Sequence, residues 1–469
     1  MSTVSLQRRL ARGVQRVTST ALGPYQSAVI RIGFSATYLL YLLREIPHRH
    51  EMYGPDGPWR WDMAQQLISG NQSFTALMWS DSTVWFEIVY AVALLSAALL
   101  MVGWHTRAMS VLFMAGVLSL QNRSIFMGDG GDNVIHLMAI YLMLTRCGQV
   151  WSLDARRAAR AARAARAALP RPGYEGEPVG TDVLAVRTDA SEAGADASAG
   201  VSADKVDAKA GAAVRPVRRD VAGPVLWAVL GLVLISATLT DGLGGTWWLP
   251  ALLWVLWAGQ GLWWIVNRRA APSEVRTLLD VIANLAHNAA LLVIMAEVCV
   301  IYATAGWYKI QGSRWQDGTA LYYPLKLDYF TPWPALSDIL ASSGVIVMLV
   351  SYGTVIVQVA FPFTLFNRRV KNVLLVAMIC EHAGIALLLG LPFFSMAMIA
   401  ADSVFLPTVF LVWLGDRVAL GRRLLFRREV EVPGQRYEVD AAAGAATGAE
   451  GGVEEAPRRS NDGGHTLVG

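Results

Sequence analysis

The sequence predicts an all-α, polytopic membrane bundle of about ten transmembrane helices with both termini cytoplasmic. Three observations carry that expectation. Of the 469 residues, 54% are apolar and only 16% charged, with 17 Trp and a mean hydropathy of +0.39, whereas soluble domains average roughly 25% charged. The apolar residues gather in segments close to the roughly 20 helical residues that cross a hydrocarbon core of about 30 Å. Lys and Arg concentrate in alternate connections, as they do in cytoplasmic loops.

Residues 1–25 carry Arg8, Arg9, Arg12 and Arg16 without the apolar run of a cleavable signal peptide, so they read as a basic cytoplasmic segment. A first block, 26–153, holds spans near 26–43, 84–103, 108–126 and 133–147. The fourth is short and follows NRSIFMGDGGD, which predicts an irregular outer end shielded by protein. In the loop at 44–62, His48 and His50 lack a fixed third ligand, so no metal is expected there; YGPDGPWRW reads as a turn whose aromatics rest at the interface. GDGGD at 128–132 lacks the remainder of a calcium loop and reads as a turn with Asp132 capping the fourth span.

Residues 154–220 open with DARRAARAARAARAAL, where Arg157, Arg160, Arg163 and Arg166 recur along one helical side. A short basic helix on the anionic inner leaflet is expected, followed by a disordered cytoplasmic linker. Residues 221–282 read as an inserted transmembrane hairpin with spans near 222–240 and 247–266. A second block, 283–428, has spans near 283–306, 343–365, 371–391 and 393–415, and 429–469 read as a disordered cytoplasmic tail. With this topology about 32 of the 40 Lys and Arg lie inside and about 7 outside, Arg31 standing near the inner end of the first span. The basic balance is therefore a topology signal. It implies the lipid bilayer of a bacterial-type cell membrane as partner and no nucleic acid. Cys147, Cys299 and Cys380 form no motif.

Ionisable residues within spans are functional candidates, because their cost must be offset by a partner or a wet cavity. Counting from the span ends places Glu297, His382 and Asp402 each roughly 13 Å below the outer surface. His136 lies slightly higher, in the fourth span, and Gln358, Glu381 and Glu87 are weaker members of the group. The stretch EVCVIYATAGWYKIQGSRWQDGTALYY, 297–323, carries Lys309 at the outer end of the seventh span, flanked by Trp307, Tyr308 and Trp315. The residues alone leave Lys309 as either an interfacial anchor or a base, and leave the polar layer as either a pocket lining or helix-to-helix glue.

NRSIFMGDGGDNVIHLMAIYLM, WSLD at 151–154, IYATAGWYKIQGSRWQDGTALYY and CEHAGIALLLGLPFFSMAMIAAD, in that order, resemble the HTTM (horizontally transferred transmembrane) family, the membrane domain shared with vitamin K-dependent gamma-carboxylase. The resemblance covers roughly 20–154 and 280–415. In the carboxylase a lysine of an AG-x-x-K segment is taken as the base that deprotonates vitamin K hydroquinone, which implies Lys309 as the base here. His382 in EHAG matches a histidine thought to position or stabilise the reacting species. The implied cofactor is a reduced quinone such as menaquinol or vitamin K hydroquinone. The chain departs from the family in having Gly130-Gly131-Asp132-Asn133 for an Asn-Asn-His run and an inserted apolar pair, and the residues after Arg428 read as a charged tail where the carboxylase has the large extracytoplasmic domain that grips its propeptide substrate, a domain not expected here. The leading expectation is an outward-facing, lysine-centred pocket for a quinone-type lipid or an exported peptide. The alternative is a non-enzymatic membrane partner in the maturation or export of another protein.

Overall fold

The computed structural model describes residues 3–167, 221–244, 247–269 and 273–425. Every regular element among them is helical. Helix α1 (Thr3–Ser19) precedes α2 (Pro24–Glu45), which Pro24 starts from a left-handed Gly23 (φ 59°). Two short helices, α3 (Arg49–Tyr53) and α4 (Trp61–Asn71), lie in the following connection. Then come α5 (Thr83–Val102), α6 (Thr106–Arg123) and α7 (Gly130–Leu142). The basic helix α8 (Leu153–Ala167) forms where the arginine repeat predicts it, with Arg160, Arg163 and Arg166 exposed. The expected linker beyond it and the expected tail at 429–469 fall outside the described residues.

The hairpin expected within 221–282 corresponds to α9 (Ala222–Leu239) and α10 (Trp248–Arg269). Trp227 and Trp257 stack across it at 4.2 Å, and each indole N–H donates to the other residue's carbonyl at 2.9 Å. A Cβ at Gly231 or Gly261 would meet the facing indole at 2.7 or 2.8 Å, so only glycine lets these rings seat. The remainder comprises α11 (Glu274–Gln311), α12 (Ser313–Gln316), α13 (Pro334–Ser342), α14 (Gly344–Ala360), α15 (Arg368–Leu388), α16 (Pro392–Asp402) and α17 (Thr408–Leu425). The chain divides into compact units Met1–Leu411 and Val412–Gly469. In the second, Arg417 sits over the Trp413 ring at 5.5 Å.

Six helices among the described residues are long and apolar enough to cross a membrane: α5, α9, α10, α11, α14 with its 3-10 extension, and α15. The bent pair α16 and α17 makes a seventh if counted as one span. Only 17% to 39% of these apolar windows is buried inside the protein. Valines and leucines such as Leu292, Leu349, Val373 and Val229 are more than half exposed. A surface of that kind demands hydrocarbon around it.

Three expected spans form helices that fall outside this set. Helix α2 is mixed on the side it buries, where Gln26, Arg31, Ser35 and Thr37 lie inside the bundle with Ile30, Phe34 and Leu42, against α5 and α16. Helix α6 is likewise mixed in composition, and α7 has 13 residues, about 20 Å of helix. The expected span 393–415 is broken. Helix α16 stops at Asp402 and passes into a 3-10 turn, Ser403–Phe405, and Leu406-Pro407 separates that turn from α17, because proline lacks the N–H and clashes with the preceding turn. The cap of α7 also differs from expectation. Asp129 is the N-cap residue, accepting from Gly131 N–H at 2.7 Å, while Asp132 is the third helical residue and accepts from Asp129 N–H at 2.9 Å.

Arg31 is fully buried and works as a shared helix terminator. Its guanidinium donates to the carbonyls of Leu100, Met101, Cys147 and Trp151. These end α5 and the segment after α7, whose last carbonyls have no intrahelical donor. Asp154 of WSLD caps the start of α6 beside it, accepting from the N–H groups of His105 (2.9 Å) and Thr106 (2.8 Å). Gly103, at φ 74°, lies where a Cβ would meet Ser152 at 2.3 Å. A second polar clasp holds α11 to the α1–α2 connection. His287 donates from Nε2 to the Leu22 carbonyl (2.7 Å) and accepts Arg146 N–H at Nδ1 (2.9 Å), while Asn284 and Asn288 donate to the carbonyls of Thr18 and Val17.

Candidate functional site

Helix α11 has 38 residues, about 57 Å, and its last three turns position the candidate site. Tyr302 and Lys309 are seven residues apart and so share one face. Gly306 lies between them at a close approach to α14, where a Cβ would meet Val359 Cγ2 at 2.5 Å. Gly306 therefore lets α14 come near enough for Gln358 to reach α11.

Lys309 Nζ donates to Gln358 Oε1 at 2.8 Å, and Gln358 Nε2 donates to Glu381 Oε1 at 2.6 Å. The carboxylate of Glu381 can only accept from that amide, so it fixes the amide's sense and turns its oxygen toward the amine. The Trp315 ring lies 5.2 Å from Lys309 Nζ, within cation–π range. Lys309 is half-buried and does not end the helix as expected: α11 continues to Gln311 before Gly312 terminates it by donating to the carbonyls of Lys309 and Tyr308.

Next to Glu381 on α15, His382 belongs to a second cluster. The Tyr302 hydroxyl donates to Asp402 Oδ1 at 2.9 Å and lies 3.0 Å from His382 Nε2. A phenol has one proton, so the hydroxyl that donates to Asp402 accepts from His382 Nε2. Tyr302, His382 and Asp402 are 1%, 2% and 0% exposed. His382 Nδ1 and Asp402 Oδ2 are buried with no hydrogen-bond partner. Phe394 and Phe361 cover the cluster, with ring centroids 5.6 Å from His382 and 6.1 Å from Tyr302.

Lys309 near the end of α11 and Trp315 on α12 thus form one group, and His382 within α15 and Asp402 at the end of α16 another, the two adjoining at Glu381 and His382. Glu297 and His136 are part of neither group. Glu297 is five residues before Tyr302, a turn of about 140° around the helix, and it faces Tyr141 of α7. His136 pairs through Nδ1 with Gln121 Oε1 at 2.8 Å and ties α7 to α6. Equal depth therefore does not mean a shared site, because depth ignores rotation about the helix. Tyr302 escaped sequence reasoning, although its seven-residue distance from Lys309 marked the common face. Of the weak members by sequence, Gln358 is the direct partner of the amine and Glu381 the partner of the Gln358 amide. Glu87 binds Arg49 (2.7 Å) and His50 (2.8 Å) in the first loop.

No protein-family model matches this chain, and neither does any curated protein or solved structure. Among the described residues no group of three or more His, Cys, Asp or Glu is placed to hold a metal ion.

Proposed function

We propose that this multi-pass protein crosses the membrane about ten times with both termini cytoplasmic, and that its lysine-centred site acts on a quinone-type lipid or an exported peptide, in the manner of the HTTM and vitamin K-dependent carboxylase core that its motifs resemble. The observation that supports this reading is the pair of hydrogen-bonded series meeting at consecutive residues. Lys309, Gln358 and Glu381 form one, and His382, Tyr302 and Asp402 form the other. A base, an oriented acceptor and two buried polar atoms without partners stand together, and such atoms call for a ligand or water.

These residues fit a molecule with an acidic hydroxyl. A reduced quinone supplies that hydroxyl when bound. Lys309 as the neutral amine takes its proton, forming the ammonium, while Gln358 Oε1 accepts one of the ammonium hydrogens and Trp315 faces the charge. Glu381 is a positioning residue, since it acts through the Gln358 amide. His382 Nδ1 offers an acceptor, and Phe361 and Phe394 keep bulk water from that cluster.

The test compares Lys309→Ala and Lys309→Arg with the wild type, each purified and incubated with reduced menaquinone under oxygen, with quinone oxidation products and modified peptide read by mass spectrometry. Loss of a general base lowers turnover about 10² to 10⁴-fold, and both variants should show it at normal insertion and yield. Turnover retained in both overturns the catalytic reading. A second reading, a non-enzymatic partner in maturation or export, is favoured by the way the Tyr302 cluster joins three helices, α11, α15 and α16. It expects His382→Leu to lower folded yield while Lys309→Ala leaves the cellular phenotype intact.

A further inference from the structure

Far along the chain from Lys309, the connection after α2 and the start of α5 enclose a small concavity. Tyr53, Trp61, Ser80, Ser82, Phe86 and Arg123 line it, and its interior has room for about one water molecule. Arg123, the last residue of α6, is 1% exposed. Its Nη2 donates to the Gly54 carbonyl at 3.1 Å, and its Nη1 is buried with no partner. None of the ion pairs among the described residues involves Arg123.

The lining also includes Ser82, the residue that precedes α5, and Phe86 one turn further on. Helix α5 has 20 residues, its N-cap Ser82 makes no side-chain cap hydrogen bond, and its first turn holds no acidic residue. The N–H groups of that turn lack intrahelical acceptors and carry the positive end of the helix dipole. A guanidinium with one free nitrogen, Nη1, and the N-cap residue Ser82 thus border one pocket together with Ser80. Asp81, between the serines, is exposed and does not line it. A buried cation without a counter-charge is unfavourable, and no carboxylate is among the residues that line the cavity, whose polar side chains are Arg123, Tyr53, Trp61, Ser80 and Ser82.

We propose that Arg123, Ser80, Ser82 and the N-terminus of α5 bind a single small monovalent anion of halide size. The volume selects it: chloride is close to water in size, whereas phosphate or sulfate would require the walls to part. The bound anion neutralises Arg123 and so secures the first loop, because Arg123 holds Gly54 and the neighbouring Ser124 hydroxyl donates to the Met52 carbonyl at 2.7 Å.

The experiment measures thermal unfolding of the purified full-length protein in detergent, in sodium chloride, bromide, acetate, sulfate and gluconate at matched ionic strength, so that screening is held constant. The expected result is a Tm that rises with the logarithm of chloride or bromide above the dissociation constant and stays flat in gluconate. Arg123→Gln should abolish the rise. If Arg123→Gln does not fold, the Ser80→Ala/Ser82→Ala double variant must shift the chloride midpoint to higher concentration, and bromide must displace chloride in ³⁵Cl line broadening of the wild type. Equal Tm in chloride and gluconate overturns the proposal, as does an undiminished rise in the variants. A rise with acetate or sulfate but not with halides overturns the size assignment.

Discussion

Replacing Tyr302 by Phe keeps the ring that packs on Phe361 and removes one oxygen. That oxygen makes two hydrogen bonds, to Asp402 at 2.9 Å and to His382 at 3.0 Å. Both partners already hold one unpaired polar atom, so the variant leaves His382 and Asp402 without any protein hydrogen bond from their side chains. Interhelical hydrogen bonds in membranes contribute about 0.6 to 2 kcal/mol each. A buried group left unpaired adds about 1 to 3 kcal/mol. Allowing for water entering the vacated space, Tyr302→Phe should destabilise the bundle by about 2 to 4 kcal/mol. The assay is reversible unfolding in mixed micelles by titrating a denaturing detergent, with Asp402→Ala and the double variant completing a thermodynamic cycle. A coupling above about 0.5 kcal/mol is expected for residues in contact. Additive effects, or a Tyr302→Phe loss below about 0.5 kcal/mol, would refute the claim that this hydroxyl joins the three helices.

Three further outcomes follow from the helix ends. Arg31→Met leaves the carbonyls of Met101, Cys147 and Trp151 without their donor, while Leu100 keeps the Gly103 N–H, and should cost about 1 to 3 kcal/mol for each acceptor left unpaired, seen as a collapse of monodisperse yield on size exclusion. Gly103→Ala places a Cβ at a left-handed φ of 74° and 2.3 Å from Ser152, so its Tm should fall by several degrees, more than for Gly259→Ala, where a Cβ meets nothing within 4 Å. Asp154→Ala removes the acceptor of two N–H groups at the start of α6 and should cost about 1 to 2 kcal/mol, measured by the same micelle titration.

Much of the fold is legible in the apolar segments, because hydrophobic length is a local property. Helices α5, α9, α10 and α15 begin and end within a few residues of where the segments do. The centre of the bundle is less legible. Helix α2 looks like an ordinary span with one awkward arginine, yet it is heavily buried against α5, α7 and α16; only contact with distant carbonyls gives Arg31 its role. Pro407 was visible as a breaker inside the expected span 393–415, and the apolar residues on both sides masked it. At the site, Lys309 and His382 stand out by residue type, but their partners do not. Gln358 is a lone polar residue among valines, and its place opposite Lys309 depends on the approach that Gly306 permits. Glu297 shows the reverse error, a residue of the right chemistry and depth on the wrong side of its helix.

The adjacency of Glu381 and His382 imposes a phasing constraint on α15. Neighbouring helical residues diverge by about 100°, so one turns toward α14 while the other turns toward α11 and α16. Adding or removing a single residue upstream in α15 would swing both side chains through that same angle and unhook two hydrogen-bonded series at once. Compensation at either partner alone would restore only half. The length of α15 between Asn367, which caps its start by accepting from Arg369 and Val370 N–H, and Glu381 is therefore held in register from two directions, like a key cut on both edges.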